Sequence, residues 1–214
     1  MQHDHDVHAH QPVLRAGPAI SDARLVAILL HGRGADAEDI LGLSREFTAS
    51  DVAYLAPQAA DHTWYPYSFL APMERNEPNL SSALRLISRL VQDLQQQNVS
   101  PERVVLLGFS QGACLTLEFA AQHARRYAAV VALSGGLIGP PTTPRDYSGS
   151  FDATPVFIGC SDIDAHVPVE RVNESAEVFR RMGAVVDERV YRGMGHTVNE
   201  DEISAVDALL SSSG

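Results

Sequence analysis

Short apolar runs alternate with amphipathic segments along most of this chain. The apolar runs predict strands at residues 24–30, 51–56, 103–109, 128–133, 155–159 and 185–191. The segments between them predict helices at 36–48, from Asn79 onward, and at 111–123, 169–182 and 199–210. Because strand and helix alternate without a long linker or an internal repeat, the pattern predicts one domain. Its architecture is a mainly parallel sheet with helices on both faces.

Composition indicates the class of protein, and net charge excludes some kinds of binding partner. The chain has 214 residues, of which 45% are hydrophobic and 20% are charged, as expected for a globular domain that needs no metal or disulfide to fold. A net charge of −11 disfavours nucleic acid and stable association with anionic membranes. The two cysteines lie far apart, the first residues lack the apolar core of a signal peptide, and no run of 18 apolar residues occurs. We therefore expect a cytoplasmic protein.

The first twenty residues are rich in histidine and aspartate, with the histidines at His3, His5, His8 and His10. Such a segment is able to chelate a metal ion, but without a rigid scaffold it offers no fixed coordination geometry. We therefore predict a flexible tail at 1–20, a folded domain at 21–214, and neither a metal site nor a cofactor.

A Gly-x-Ser-x-Gly sequence, Gly108 to Gly112, centres on Ser110. The pattern alone is loose, but here it joins an apolar strand to a helix, which is the context that a nucleophilic serine requires. The flanking glycines leave room for a sharp turn, and the helix N-terminus brings partial positive charge to the serine. The other interpretation, a glycine-rich turn with a capping serine, is the weaker one in this context.

A serine hydroxyl needs a neighbouring base, and in this arrangement the acid and then the histidine follow the serine along the chain. His196 lies directly after the predicted strand 185–191, so we predict that it is the base. Asp162 and Asp164 both follow the strand 155–159, and position alone does not decide which of them orients the histidine.

Two backbone N–H groups are needed to stabilise the negative charge that develops on the substrate oxygen. Gln111, directly after the serine, is one candidate donor. The loop His31-Gly32-Arg33-Gly34 after the first strand is expected to supply the other, because its glycines allow the backbone to approach a substrate closely.

Four motifs together resemble the phospholipase/carboxylesterase family of small α/β hydrolases, which includes acyl-protein thioesterases and bacterial carboxylesterases. They are LLHGRG at 29–34, LLGFSQGA at 106–113, SDIDAHVP at 161–168 and GMGHT at 193–197. The resemblance implies the α/β-hydrolase fold and favours Asp164, which precedes Val167-Pro168, as the acid of a Ser110–His196–Asp164 triad. It also implies that Arg33 and Gln111 supply the two oxyanion N–H groups.

An aromatic-rich segment, residues 62–73, interrupts the regular pattern. Family resemblance places it beside the acyl-binding groove, and we predict a pocket wall made by Trp64, Tyr65, Phe69, Leu70 and Met73. The alternative is that these side chains form a satellite core beneath a long loop.

The sequence thus predicts a serine hydrolase that cleaves small-molecule esters or thioesters with small to medium acyl or aryl groups. Two alternatives stay open: a lysophospholipase or acyl-protein thioesterase, and a non-catalytic ligand-binding module on the same fold. The sequence also leaves open whether the protein forms a homodimer.

Overall fold

A computed structural model describes residues 6–212 of the chain. Seven strands form one sheet in the order β1-β3-β2-β4-β5-β6-β7. Only β1 is antiparallel to its neighbour, and the other pairings are parallel. The strands are β1 Val13–Ala16, β2 Leu25–Leu30, β3 Val52–Pro57, β4 Val104–Phe109, β5 Ala129–Leu133, β6 Pro155–Ser161 and β7 Val185–Tyr191. The prediction of a mainly parallel sheet in a single domain is confirmed.

Helices cover both faces of this sheet, and each face has its own core. The five α-helices are α1 Ala37–Gly42, α2 Asn79–Gln96, α3 Gln111–Gln122, α4 Val169–Arg181 and α5 Glu200–Ser212. Helices α2, α3 and α4 pack on one face, and α1 and α5 pack on the other. Successive side chains of a strand point to opposite faces, so all six residues of β2 are buried. This explains why the central strands are continuous apolar runs.

The carboxyl ends of the parallel strands meet at one edge of the sheet. Leu30 is paired with Gly108, Phe109 with Leu133, and the last residues of β6 and β7 with each other. The loops that follow β2, β4, β6 and β7 therefore leave the sheet side by side. These loops carry Arg33, Ser110, Asp164 and His196.

The N-terminal segment differs from the expected flexible tail over its described part. Residues 13–16 add strand β1 to the edge of the sheet. His8 is fully buried, its Nδ1 accepts from the N–H of Ala60 (3.0 Å), and its Nε2 donates to the carbonyl of Trp64 (3.0 Å). Burial lowers the pKa of His8. The prediction of a tail at 1–20 is wrong for residues 6–20. A four-residue strand and a single hydrogen-bonded histidine produce no periodic pattern in the sequence, so the sequence did not indicate this structure. His3 and His5 lie outside the described residues.

The predicted helix 36–48 is shorter than expected. Asp36 is the N-cap and forms a reciprocal capping box with Asp39, so α1 begins one residue later than predicted, at Ala37. It ends at Gly42 and continues as a single 3₁₀ turn, Leu43–Arg45. Glycine is a poor helix former, which accounts for the early end. Within residues 6–212, no helix combines the length and apolar character needed to cross a bilayer.

Candidate active site

Ser110 occupies the sharp turn between β4 and α3. Its backbone has φ 55° and ψ −119°, a conformation that residues other than glycine rarely adopt. The Ser110 N–H donates to the carbonyl of Leu133 at the end of β5 (2.9 Å), and the Ser110 carbonyl accepts from the N–H of Cys114 in α3 (3.0 Å). The backbone N–H and carbonyl of the strained residue are thus hydrogen-bonded to β5 and α3. These two bonds hold the serine at the N-terminus of α3.

Both glycines of the motif are required by close backbone contacts. A Cβ atom at Gly108 would lie 2.3 Å from the carbonyl oxygen of Gly112, and one at Gly112 would lie 2.0 Å from the carbonyl oxygen of Leu30. Neither distance is tolerable, so Gly108 is needed for the close approach of Gly112 within the turn, and Gly112 is needed for the turn to pack against β2. The prediction that the glycines make room for this turn is confirmed.

The side chains of Ser110, His196 and Asp164 form a continuous hydrogen-bonded chain. His196 Nε2 lies 2.7 Å from Ser110 Oγ, and His196 Nδ1 lies 2.6 Å from Asp164 Oδ2. An ionised carboxylate can only accept, so Nδ1 carries the proton and Nε2 is left to accept from the serine hydroxyl. This arrangement can remove the serine proton as the oxygen attacks a carbonyl carbon.

Asp164 is well suited to orient the histidine. Burial of its side chain raises the pKa of this carboxyl, but hydrogen bonds from His196 and from the N–H groups of His166 (2.8 Å) and Val167 (3.0 Å) outweigh burial. The pKa of Asp164 is therefore below its ordinary value. The carboxylate is ionised at neutral pH and stabilises a positive charge on His196.

Asp162, the other acid that the sequence left open, makes a different contact. Its Oδ1 accepts from the N–H of Gly193 (2.8 Å) at the start of the loop that carries His196. Ser161 Oγ donates to the carbonyl of Met194 in the same loop. The two residues therefore fix the histidine loop to the end of β6, while Asp164 alone of the two acids contacts the imidazole.

Arg33 and Gln111 flank the serine. Gln111 is the first residue of α3, so its N–H is one of those that have no partner inside the helix. A Cβ at Gly32 would lie 3.4 Å from Ser110 Cβ, so the loop containing Arg33 lies against the nucleophile. Both residues line the same cleft as Ser110. That their N–H groups bind the oxyanion stays a prediction.

The side chains of these two residues have a role that the sequence did not reveal. The buried Gln111 amide accepts from the N–H of Trp64 (2.9 Å) and donates to the carbonyl of Tyr65 (2.8 Å). The Arg33 guanidinium donates to the carbonyls of the next two residues of the segment, at 2.7 Å each. Segment 64–67 is therefore held beside the serine by the two proposed oxyanion residues.

A cleft of about 360 Å³ opens over the serine. Its lining combines the catalytic loops with the aromatic-rich segment: Arg33, Tyr65, Pro66, Tyr67, Ser68, Phe69, Ser110, Gln111, Cys114, His166, Val167 and His196. Among residues 6–212, no cluster of three or more His, Cys, Asp or Glu side chains is arranged to hold a metal ion.

The predicted pocket wall is partly corrected. Tyr65 and Phe69 line the cleft, whereas Trp64 is fully buried and its indole N–H donates to the carbonyl of His31 (2.8 Å). Leu70 and Met73 pack against the core on the α2 face. For these three residues the pocket prediction is wrong, and the satellite-core alternative describes them. A tryptophan can be buried in the core when its indole N–H has a hydrogen-bond acceptor there. The sequence does not reveal that the His31 carbonyl provides this acceptor.

The buried side chain of His31 stabilises the loop that follows β2. The N–H of Ala59 donates to His31 Nε2 (3.1 Å), so Nδ1 carries the proton and donates to the carbonyl of Gly32 (2.7 Å). Burial lowers the pKa of His31, which keeps the ring neutral. The histidine thus fixes the start of the loop that carries Arg33.

Six residues that were not predicted from the sequence also line the cleft: Pro66, Tyr67, Ser68, Cys114, His166 and Val167. The buried Cys114 thiol has its pKa raised to about 12 by burial, so it is protonated and unreactive at neutral pH. His166 lies between Asp164 and Val167-Pro168. The sequence signal that could have placed it in the cleft is that it follows the triad aspartate by only two residues.

Comparisons with known proteins find relatives that match this chain over most of its length. The family model described as phospholipase/carboxylesterase matches residues 17–213. Acyl-protein thioesterase 1 of Gibberella zeae is 28% identical over 219 residues, which cover 90% of this chain and 92% of that protein. Acyl-protein thioesterase 1 of Saccharomyces cerevisiae is 24% identical over 226 residues, covering 94% and 97%.

A solved structure extends the likeness to three dimensions. The crystal structure of a phospholipase/carboxylesterase from Dyadobacter fermentans superposes with a TM-score of 0.91 at 41% identity, and it covers 94% of this chain and 97% of that one. The seven-stranded architecture is therefore that of α/β hydrolases.

Proposed function

This chain belongs to the phospholipase/carboxylesterase family of α/β hydrolases, and from that premise we propose that it hydrolyses carboxylic esters or thioesters through an acyl-enzyme on Ser110. The observation that carries the proposal is the hydrogen-bonded chain from Ser110 through His196 to Asp164, with links of 2.7 and 2.6 Å. Such a chain on a strained strand-to-helix turn is the arrangement that activates a serine hydroxyl.

Acylation follows from this geometry. Ser110 Oγ attacks the carbonyl carbon while His196 Nε2 takes its proton, and the resulting imidazolium is stabilised by the Asp164 carboxylate. The negative charge moves to the carbonyl oxygen, where the N–H groups of Arg33 and Gln111 receive it. His196 then gives the proton to the leaving alcohol or thiol, and the acyl group stays on Ser110.

Deacylation repeats the sequence with water. His196 takes a proton from a water molecule as its oxygen attacks the acyl carbon, and the same proton returns to Ser110 Oγ when the carboxylic acid leaves. The product acid then ionises in solution.

The cleft favours small to medium acyl or aryl groups. Its volume of about 360 Å³ lies near the lower end of the range of roughly 300–1,000 Å³ for ligand pockets. The Tyr65 and Phe69 rings give it apolar walls, which suit an acyl chain or a phenyl ring better than a charged group.

Thioesters are the second candidate class, because curated relatives carry the name acyl-protein thioesterase. A butyryl ester and a butyryl thioester form the same acyl-enzyme, so their kcat/KM values compare acylation alone. A thioester kcat/KM about tenfold or more above that of the ester would assign the chain to the thioesterases; the reverse ratio would assign it to the carboxylesterases.

Ser110→Ala tests the proposal. We expect this variant to lose about 10⁴-fold or more in kcat on p-nitrophenyl butyrate, and to escape labelling by a fluorophosphonate that labels the wild type. Ser204→Ala, at an exposed position on α5, is the matched control and should keep both properties. Full activity of Ser110→Ala would overturn the proposal, and a folded wild type that no fluorophosphonate labels would support the ligand-binding alternative.

A further inference from the structure

His166 places a second imidazole beside the catalytic one. Its ring centroid lies 4.9 Å from that of His196, with the rings edge to face at 66°. The side chain is exposed and lines the cleft that contains Ser110. Its backbone N–H holds Asp164, but within residues 6–212 the imidazole nitrogens of His166 make no hydrogen bond. A donor and an acceptor are therefore available at the mouth of the cleft.

The proposed reaction determines which part of the substrate lies next to His166. His196 Nε2 must deliver its proton to the leaving oxygen or sulfur, so the leaving group lies beside His196. The oxyanion donors Arg33 and Gln111 flank the serine from the β2 loop and the start of α3. Because His166 packs against His196, it borders the leaving-group side of the cleft rather than the oxyanion side.

We propose that His166 is a specificity-determining residue, whose imidazole hydrogen-bonds a polar group on the leaving alcohol or thiol and so favours polar leaving groups over alkyl ones. The inference rests on the proposed function, since it takes His196 as the general acid. The Ser110–His196–Asp164 chain is complete without this imidazole, so the proposed role is recognition and not proton transfer.

Matched substrates isolate the leaving group. 2-Hydroxyethyl butyrate and propyl butyrate have the same number of heavy atoms and differ by a hydroxyl in place of a methyl; 3-hydroxypropyl and butyl butyrate form a second pair. All four esters give the same butyryl-enzyme, so deacylation is common to them. A difference in kcat/KM therefore arises in binding and acylation, the steps in which the leaving group is present.

His166→Phe is the informative variant, because phenylalanine keeps an aromatic ring against His196 and removes both nitrogens. We expect the wild type to prefer the hydroxyalkyl ester of at least one pair by about tenfold in kcat/KM, the effect of one hydrogen bond. His166→Phe should abolish this preference, and His166→Gln, which can still donate and accept, should retain part of it. His10→Phe, at an exposed histidine that does not line the cleft, should keep the wild-type ratio.

The ratio of kcat/KM within a pair separates recognition from general damage to the triad, because a change in His196 reactivity affects both esters of a pair alike. An unchanged ratio in His166→Phe would overturn the inference, as would a wild type that hydrolyses p-nitrophenyl butyrate without preferring either hydroxyalkyl ester. Failure of the wild type to hydrolyse any of these esters, p-nitrophenyl butyrate included, would instead overturn the proposed function.

Discussion

Replacing Glu202 by glutamine should make the stability of this protein less dependent on pH. Glu202 is fully buried in the first turn of α5, where its Oε2 accepts from the N–H of Asn199 (3.0 Å). Its Oε1 is buried without a hydrogen-bond partner among the described residues. This oxygen lies so close to β6 that a Cβ at Gly159 would be 2.1 Å away from it. Glycine at that position therefore makes room for the carboxyl.

Burial raises the pKa of Glu202 from 4.5 to about 7; the hydrogen bond from Asn199 opposes this shift, and the nearby Asp201 adds to it. The unfolded chain releases the proton near pH 4.5 and the folded chain only near pH 7, so in this interval the folded state binds more protons. Stability therefore falls as the pH rises through the interval and then stays low. At about 1.4 kcal/mol for each pKa unit, the loss is about 3 kcal/mol.

Urea unfolding of the wild type and Glu202→Gln at several values between pH 4.5 and 8 measures this effect. Glutamine cannot ionise, so its own cost of burial does not change with pH. We expect the difference in unfolding free energy between the two proteins to move by about 3 kcal/mol in favour of glutamine across the interval. The comparison between pH values removes any constant effect of the substitution.

Glu200→Gln is the matched control, because it removes a carboxyl from an exposed position two residues earlier in the same helix turn. If both variants change the pH dependence equally, the effect belongs to surface charge and not to burial. If Glu202→Gln follows the wild type in parallel from pH 4.5 to 8, the assignment of a raised pKa to Glu202 is refuted.

Three further substitutions test the catalytic chain, the serine turn and the N-terminal segment. Asp164→Asn should lower kcat by about 10⁴-fold, because an amide does not hold the His196 proton on Nδ1; a loss below tenfold in ester turnover would remove Asp164 from the triad. Gly112→Ala should destabilise the fold by about 3 kcal/mol or more, since its Cβ would lie 2.0 Å from the Leu30 carbonyl, and a wild-type melting temperature would contradict this contact. His8→Ala should cost about 2 kcal/mol in urea unfolding because it leaves buried backbone groups unpaired, whereas no change would mean that the N-terminal segment does not pack as described.

The sequence by itself determined the architecture and the nucleophile turn. Continuous apolar runs for strands that are buried on both faces, and a period of 3.6 for amphipathic helices, are local signals. The glycines beside Ser110 were equally informative, since only a residue without Cβ allows the backbone contacts at Gly108 and Gly112. The position of His196 after a predicted strand indicated the base, and the family's motifs favoured Asp164 as the acid. The structure places Ser110, His196 and Asp164 in one hydrogen-bonded chain.

Tertiary structure alone decided which side chains share a space. Asp162 and Asp164 are two residues apart in one loop, yet one holds the Gly193 backbone and the other the imidazole. Trp64 was predicted in the cleft but finds its acceptor in the buried carbonyl of His31. These outcomes depend on how loops from separate strands meet.

The positions of the N-terminal segment and of His166 likewise depended on tertiary contacts that the sequence pattern does not record. Strand β1 exists only because β3 presents an edge to residues 13–16, and a four-residue segment has no periodicity that predicts such a pairing. His166 follows β6 and His196 follows β7, and the parallel pairing of these two strands brings the two rings together. Periodicity along a chain records which face of an element is buried, whereas contacts between loops are set by the order of the strands in the sheet.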